Sequence, residues 1–106
     1  MMEISVGDKT YLLGYPTRKD AKNAEQNGLN LTNIDGKVLT SCDVIFYTGL
    51  LAKQPDIKEK EAEKILEQYQ SENGDINEVT NFLTEQYMAF LKSPKGKMKK
   101  AKVIEM

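Results

Sequence analysis

Few side chains in this sequence could do nucleophilic or acid–base chemistry. The chain has no histidine and a single cysteine, Cys42. Histidine-dependent general acid–base catalysis, Ser-His and Cys-His nucleophilic pairs, and most zinc or haem ligation are therefore excluded. Cys42 stands among Val44, Ile45 and Phe46, a setting that predicts a small buried thiol rather than a reactive one. A lone cysteine also forms no intrachain disulfide.

Carboxylates are plentiful, but their spacing is typical of a solvated surface. Glu59, Glu63 and Glu67 alternate with lysines along one predicted helix, and no pair is spaced to predict a shared acid–base pocket. Residues 73–75, Asn-Gly-Asp, lack the alternating ligands and closing glutamate of a calcium loop. Glycine-rich phosphate loops are missing as well. We therefore expect no enzyme activity, no metal site and no cofactor.

Length and charge indicate one small domain with an uneven charge distribution. The chain has 106 residues, 40% hydrophobic and 29% charged, and a formal net charge of −1, values close to the globular average. Residues 1–94 carry ten basic and fifteen acidic side chains, a net −5, which we expect in a single helical domain with an N-terminal hairpin. Residues 95–106 carry +4 and are expected to form a basic, flexible tail. Its lysines are Lys95, Lys97, Lys99, Lys100 and Lys102.

Targeting signals are not evident in the sequence. No apolar run approaches the roughly 18 residues that a membrane span requires, and no charged-then-apolar leader opens the chain. We expect a cytosolic protein with no membrane association.

The elements that must position any site begin with a β-hairpin. Apolar residues alternate on either side of Gly7-Asp8, and a glycine-first pair between two such runs predicts a type II′ turn. We predict strands at residues 3–6 and 9–14. Because two strands alone are marginal in water, the hairpin must pack on something else.

A thin first helix is predicted after the hairpin. Thr17 suits its N-cap, Arg18 its first residue and Gly28 the position after its end. Its apolar content is mainly alanine, so we expect a mostly exposed helix. In the connector that follows, Leu31 and Ile34 are candidates to anchor the core or extend the sheet.

Three more helices complete the predicted fold. Residues 40–53 are apolar around most of a helical circumference, which places that helix in the middle of the fold. Capping boxes at 56–59 and 75–78 predict two amphipathic helices, the last ending at 93–94. We predict an α+β, mainly α, fold: an N-terminal β-hairpin packed on a bundle of three to four short-linked helices. The core candidates are Ile45, Phe46, Leu50, Ile65, Leu66 and Leu83.

Apolar side chains near the end of the last helix exceed what one buried stripe requires. They predict either an exposed groove or oligomer contact, or extra closure of a small core, and the sequence leaves both open. Nucleic-acid binding through a helix-turn-helix and the lysine tail is the alternative function. It is disfavoured because residues 75–92 bring one lysine and three acids. The partner-binding or oligomer candidates are Phe82, Tyr87, Met88, Phe90 and Leu91.

The order of these segments is similar to that of a known protein family. Residues 4–11 (ISVGDKTY), 43–51 (DVIFYTGLL), 62–66 (AEKIL) and 81–91 (NFLTEQYMAFL) follow one another along the chain. Together they resemble the small tail assembly chaperones of long-tailed bacteriophages and related prophages of Gram-positive bacteria. The resemblance rests on the apolar pattern and on the Phe-Tyr-x-Gly-Leu-Leu segment at 46–51.

The resemblance implies a non-enzymatic protein. Such a protein binds and solubilises the long, helical tape measure protein in the host cytoplasm until the tail tube polymerises around it. Because coating a long chain takes many copies, a homo-oligomer is also implied. A longer frameshifted form is common in this family, and Lys99-Lys100 are candidates for the slippage codons.

Overall fold

The computed structural model describes residues 1–30 and 37–91. An N-terminal antiparallel hairpin is followed by four helices, which confirms the predicted α+β, mainly α, class. Leu31, Ile34, the predicted helix end at 93–94 and all five tail lysines lie outside the described residues. The elements are β1 (Met2–Val6), β2 (Lys9–Leu13), α1 (Arg18–Gln26), α2 (Val38–Leu51), α3 (Glu59–Asn73) and α4 (Asn77–Ala89).

A two-residue turn sets the register of the hairpin. Val6 pairs with Lys9 across the turn, Gly7 has a φ of +59°, and Asp8 has a negative φ, the signs required by a type II′ turn. This register puts apolar side chains of both strands on one face of the hairpin, which packs against the helices. The buried residues of the hairpin are Ile4, Val6 and Leu13.

Two side chains from the helical part hold the hairpin by its backbone. Gln54 pairs with the outer edge of β2: its Oε1 accepts from the Leu12 N–H at 3.0 Å and its Nε2 donates to the Leu12 carbonyl at 2.9 Å. Both carboxylate oxygens of Glu72 accept from the Gly7 N–H at 3.1 Å. The hairpin is thus fixed at its turn and along its free edge.

Helix α1 begins and ends as the sequence predicts. Thr17 Oγ1 accepts from the Asp20 N–H at 3.3 Å, and Asp20 Oδ2 accepts from the Thr17 N–H at 3.1 Å, which makes a reciprocal capping box. Gly28 follows the last turn with a φ of +104°, as expected of the residue beyond a helix C-cap. Ala21 and Ala24 are the buried residues of α1.

Helix α2 occupies the centre of the molecule. It packs against α1, α3, α4 and β2, in agreement with its predicted place. It runs two residues earlier at both ends than the predicted 40–53, which leaves Val38 and Leu39 exposed in its first turn. Gly49 allows α4 to approach closely, because a Cβ built there would lie 2.8 Å from Leu83 Cδ2.

The capping box predicted at Asp56 is wrong. Helix α3 begins at Glu59, and its N-cap is Lys58, which makes no side-chain capping bond. Ile57 is buried and its N–H donates to the Gln54 carbonyl at 3.1 Å. Burial of Ile57 therefore holds residues 55–57 in a turn and delays the helix.

The capping box predicted at Asp75 is also wrong. Helix α4 begins at Asn77 after an Ile76 N-cap without a side-chain bond. Asp75 Oδ1 instead accepts from the Asn77 N–H at 3.0 Å, only two residues along. The carboxylate stabilises a local turn before the helix, so it does not reach the amide of Glu78.

Helix α4 ends at Ala89, earlier than predicted. The N–H groups of Phe90 and Leu91 donate to the carbonyls of Tyr87 and Met88, three residues back, at 3.3 and 3.0 Å. A tighter last turn of this kind closes the helix.

One cluster of buried side chains draws on all six elements. The six core candidates, Ile45, Phe46, Leu50, Ile65, Leu66 and Leu83, all belong to it. The largest fully buried side chain is Tyr15, which lies between β2 and α1 and was not predicted as core.

Candidate functional site

A groove lies between α1 and the C-terminal end of α4, and one face of α1 forms its first wall. Arg18, Ala21, Lys22 and Glu25 are spaced i, i+3, i+4, i+7, so they share one face of the helix. All four line a cavity of about 140 Å³ that also touches the end of α4. The charged residues of α1 thus border the groove along two turns.

The second wall is the last turn of α4. Tyr87 and Leu91 line both the first cavity and an adjoining one of about 620 Å³, whose α1 side is Glu25 and residues 28–30. Phe90 lines the smaller cavity and Met88 the larger. We call these two adjoining cavities the α1–α4 groove.

The structure brings four of the five partner-binding candidates to this groove. Met88 is 40% exposed and Leu91 68% exposed, while Tyr87 and Phe90 are half-buried. Phe82, the fifth candidate, is half-buried against the core and is not part of the groove lining. Part of this apolar set is therefore exposed and part supports the core.

A hydrogen bond crosses the α1–α4 groove. The Tyr87 hydroxyl donates to Glu25 Oε1 at 2.5 Å, and both residues line both cavities. The Glu25 hydrogen bond, together with partial burial, raises the pKa of Tyr87 to about 12. At neutral pH the bridge is a neutral phenol on a carboxylate, a charge-assisted hydrogen bond.

Buried Tyr15 contacts Tyr87 and Gln86 of the α4 wall. Its ring meets the Tyr87 ring edge-on, with centroids 6.4 Å apart and planes at 70°. Its hydroxyl lies 2.9 Å from both the Ile45 carbonyl and Thr48 Oγ1, and its N–H donates to Gln86 Oε1 at 2.7 Å. Burial raises the pKa of Tyr15 to about 12. The groove wall is thereby tied to the centre of α2.

A further apolar patch, not predicted from the sequence, lies near the same end of the molecule. Val38 and Leu39 are 62% and 76% exposed in the first turn of α2. Other residues of that turn line a cavity that shares Gly28 and Asn30 with the α1–α4 groove. The apolar pair beside Lys37 could have indicated this patch. It was missed because the predicted start of the helix at residue 40 left both residues outside the helix.

Cys42 and Asp43 are neighbours on α2 whose surroundings change their pKa values. Cys42 is half-buried rather than buried, because the early turns of α2 extend past the core. Burial, and then Asp43, raise the pKa of its thiol. Burial, followed by the nearby charges of Glu67 and Glu59, raises the pKa of the Asp43 carboxyl. Within residues 1–30 and 37–91, no group of three or more Cys, Asp or Glu side chains is placed to hold a metal ion.

Comparison with known protein families gives a match. The model of a domain of unknown function, DUF5055, matches residues 2–105. The chain belongs to the DUF5055 family. No curated protein and no solved structure matches it significantly. In the part of this DUF5055 chain that the structure describes, no helix combines the length and apolar character needed to cross a bilayer.

Proposed function

We propose that the protein is a non-enzymatic tail assembly chaperone, which binds and solubilises helical segments of a phage tape measure protein in the bacterial cytoplasm. The observation that carries the proposal is the α1–α4 groove, with Met88 and Leu91 exposed at its rim. The resemblance of residues 4–91 to such chaperones supplies the partner.

The shape and lining of the groove suit a helical partner. Helix-in-groove recognition needs an apolar channel between two elements that receives side chains from successive turns. Here the channel has two adjoining cavities and is walled by Tyr87, Phe90 and Leu91. Met88 at the rim adapts readily to different partner side chains because it is unbranched and flexible.

Self-association is part of the proposal. A chaperone that masks a long chain acts in many copies, and Val38 and Leu39 present apolar surface outside the groove lining. We propose that copies meet through this patch.

Co-expression with a tape measure protein encoded beside this chain tests the proposal. We expect the large protein to become soluble and to co-purify with the chaperone. Met88→Glu and Leu91→Glu should each reduce the recovered complex at unchanged helicity, because a charge at the rim opposes burial of an apolar partner. Leu12→Glu is the matched control, since Leu12 is 38% exposed on the hairpin and outside the groove.

A core variant shows how loss of binding through unfolding differs from loss of binding at the groove. Phe46 is 1% exposed, so Phe46→Ala should cost about 3 to 5 kcal/mol and lower helicity and complex together. No gain in solubility of the tape measure protein, or equal loss of complex in the Leu12→Glu variant, would contradict the proposed function.

A further inference from the structure

We infer that the α1–α4 groove selects a helix that carries an acidic and a basic side chain two turns apart on its docking face, with apolar side chains between them. The inference rests on the proposed function in taking a helical chain of another protein as the occupant. It adds the chemistry by which that helix is chosen.

The charges along α1 are ordered. Arg18 and Lys22 border the small cavity, and Glu25 lies where the two cavities meet. Arg18 and Glu25 are seven residues apart, which is two helical turns or about 10 Å along the axis. A cationic end is thus followed by an anionic centre on the same helix face.

Glu25 has capacity for a partner beyond its bond to Tyr87. The Tyr87 hydroxyl occupies Oε1, and Oε2 accepts no hydrogen bond from the described residues. The Glu25 side chain is exposed, so a lysine or arginine of a docked helix reaches it without burying an unpaired charge.

A helix lying along α1 has the same rise per residue, so its complementary charges recur with the same spacing. Its acid faces Arg18 and Lys22, its base faces Glu25, and the two residues at i+3 and i+4 between them lie on the same face, toward the groove. Reversing the direction of the helix exchanges the order of acid and base but keeps their spacing. Mixed charge of this kind disfavours nucleic acid or an anionic membrane, which attract one sign only.

Three peptides probe the selection directly. Each is a capped, 21-residue alanine-based helix with leucines at i+3 and i+4, labelled for fluorescence anisotropy. The first carries Glu at i and Lys at i+7, the second Gln at both positions, and the third Glu at both. For the full-length wild-type chain at low salt we expect the Glu/Lys peptide to bind about three- to ten-fold more tightly than the Gln/Gln peptide, as two exposed ion pairs imply. The advantage should vanish in 1 M salt.

Variants at the centre of the groove change the preference in a defined direction. Glu25→Lys makes the α1 wall uniformly cationic, so the Glu/Glu peptide should become the tightest ligand. Glu25→Gln should lower the advantage of the Glu/Lys peptide without creating that reversal. Tyr87→Phe removes the hydrogen bond but keeps the Glu25 charge, and it should keep the wild-type ranking.

Three results with these peptides would overturn the inference: no saturable binding of the Glu/Lys peptide, equal dissociation constants for all three peptides, or an unchanged ranking in Glu25→Lys. Displacement of the probe by a synthetic peptide of residues 92–106 would assign the groove to the chain's own C-terminal segment and also overturn it. If the tape measure protein co-purifies while the peptides show no selection, this inference fails and the proposed function stands. The opposite pattern removes the proposed function alone.

Discussion

Tyr15→Phe gives the sharpest test of how the groove is held on the core. The substitution keeps the buried ring and removes one hydroxyl, which lies 2.9 Å from both the Ile45 carbonyl and Thr48 Oγ1. Thr48 Oγ1 retains the Val44 carbonyl at 2.7 Å, so its own proton keeps an acceptor. The Tyr15 hydroxyl then has one proton to donate, so at pH 8 we expect a loss of about 1 to 1.5 kcal/mol in the free energy of unfolding, the worth of one ordinary hydrogen bond.

The same hydroxyl makes stability depend on alkaline pH. Burial raises the pKa of Tyr15 from 10.0 to about 12, so the folded protein keeps a proton that the unfolded chain releases above pH 10. Stability from this group is complete below pH 10 and falls as pH rises from 10 to 12. At pH 11 the linkage amounts to about 1.4 kcal/mol. The difference between wild type and Tyr15→Phe should therefore shrink to near zero at pH 11.

Urea unfolding followed by far-UV circular dichroism at pH 8, 10 and 11 measures both effects. Tyr11→Phe is the control, because Tyr11 is half-buried on β2 and its hydroxyl has no hydrogen-bond partner among the described residues. It should change stability by less than about 0.5 kcal/mol. A Tyr15→Phe deficit that stays constant from pH 8 to 11, or no deficit at pH 8, would show that the hydroxyl is not held as the structure describes.

Two other changes test the close approach of α4 to α2 and the anchor of the hairpin turn. Gly49→Ala should lower the free energy of unfolding, measured with urea, by about 1 to 3 kcal/mol, because the new Cβ meets buried Leu83 at 2.8 Å. This loss outweighs the better helix propensity of alanine. Adding Leu83→Val should recover part of it. Hydrogen bonds from the Gly7 N–H and then from Gln68 lower the pKa of Glu72 below 4.5. The contribution of Glu72 to stability is therefore present above pH 4.5 and is lost as pH falls through its lower pKa in the folded protein. As pH falls, the free energy of unfolding should decrease less steeply in Glu72→Gln than in wild type. The NMR resonance of the Gly7 amide should titrate below pH 4.5. A midpoint at or above pH 4.5 would contradict the hydrogen bond between Glu72 and the Gly7 amide.

Local signals predicted the hairpin and α1 well. The Gly7-Asp8 turn depends on the positive φ of one glycine, and the Thr17 cap depends on an amide three residues away. The caps predicted at Asp56 and Asp75 failed for two different reasons, one tertiary and one local. Burial of Ile57 delays α3, and a two-residue turn at Asp75 delays α4.

The sequence indicated one wall of the groove, as one of two possibilities that it left open. An excess of apolar residues at the end of α4 pointed to Tyr87, Met88 and Leu91, and these line it. The opposite wall was missed because Arg18 and Glu25 stand on a helix with little apolar content, where charged residues are typical of a solvated face.

By itself, the sequence determined the fold class, the central place of α2 and the absence of histidine chemistry. Composition and helical periodicity depend on residues near one another in the chain, which is why they can be evaluated without a structure. Only the tertiary structure decided that α1 faces the end of α4, that Tyr15 is buried beneath Tyr87, and that Glu25 crosses to the Tyr87 hydroxyl. Those groups are separated by more than sixty residues along the chain, and packing around α2 alone brings them together.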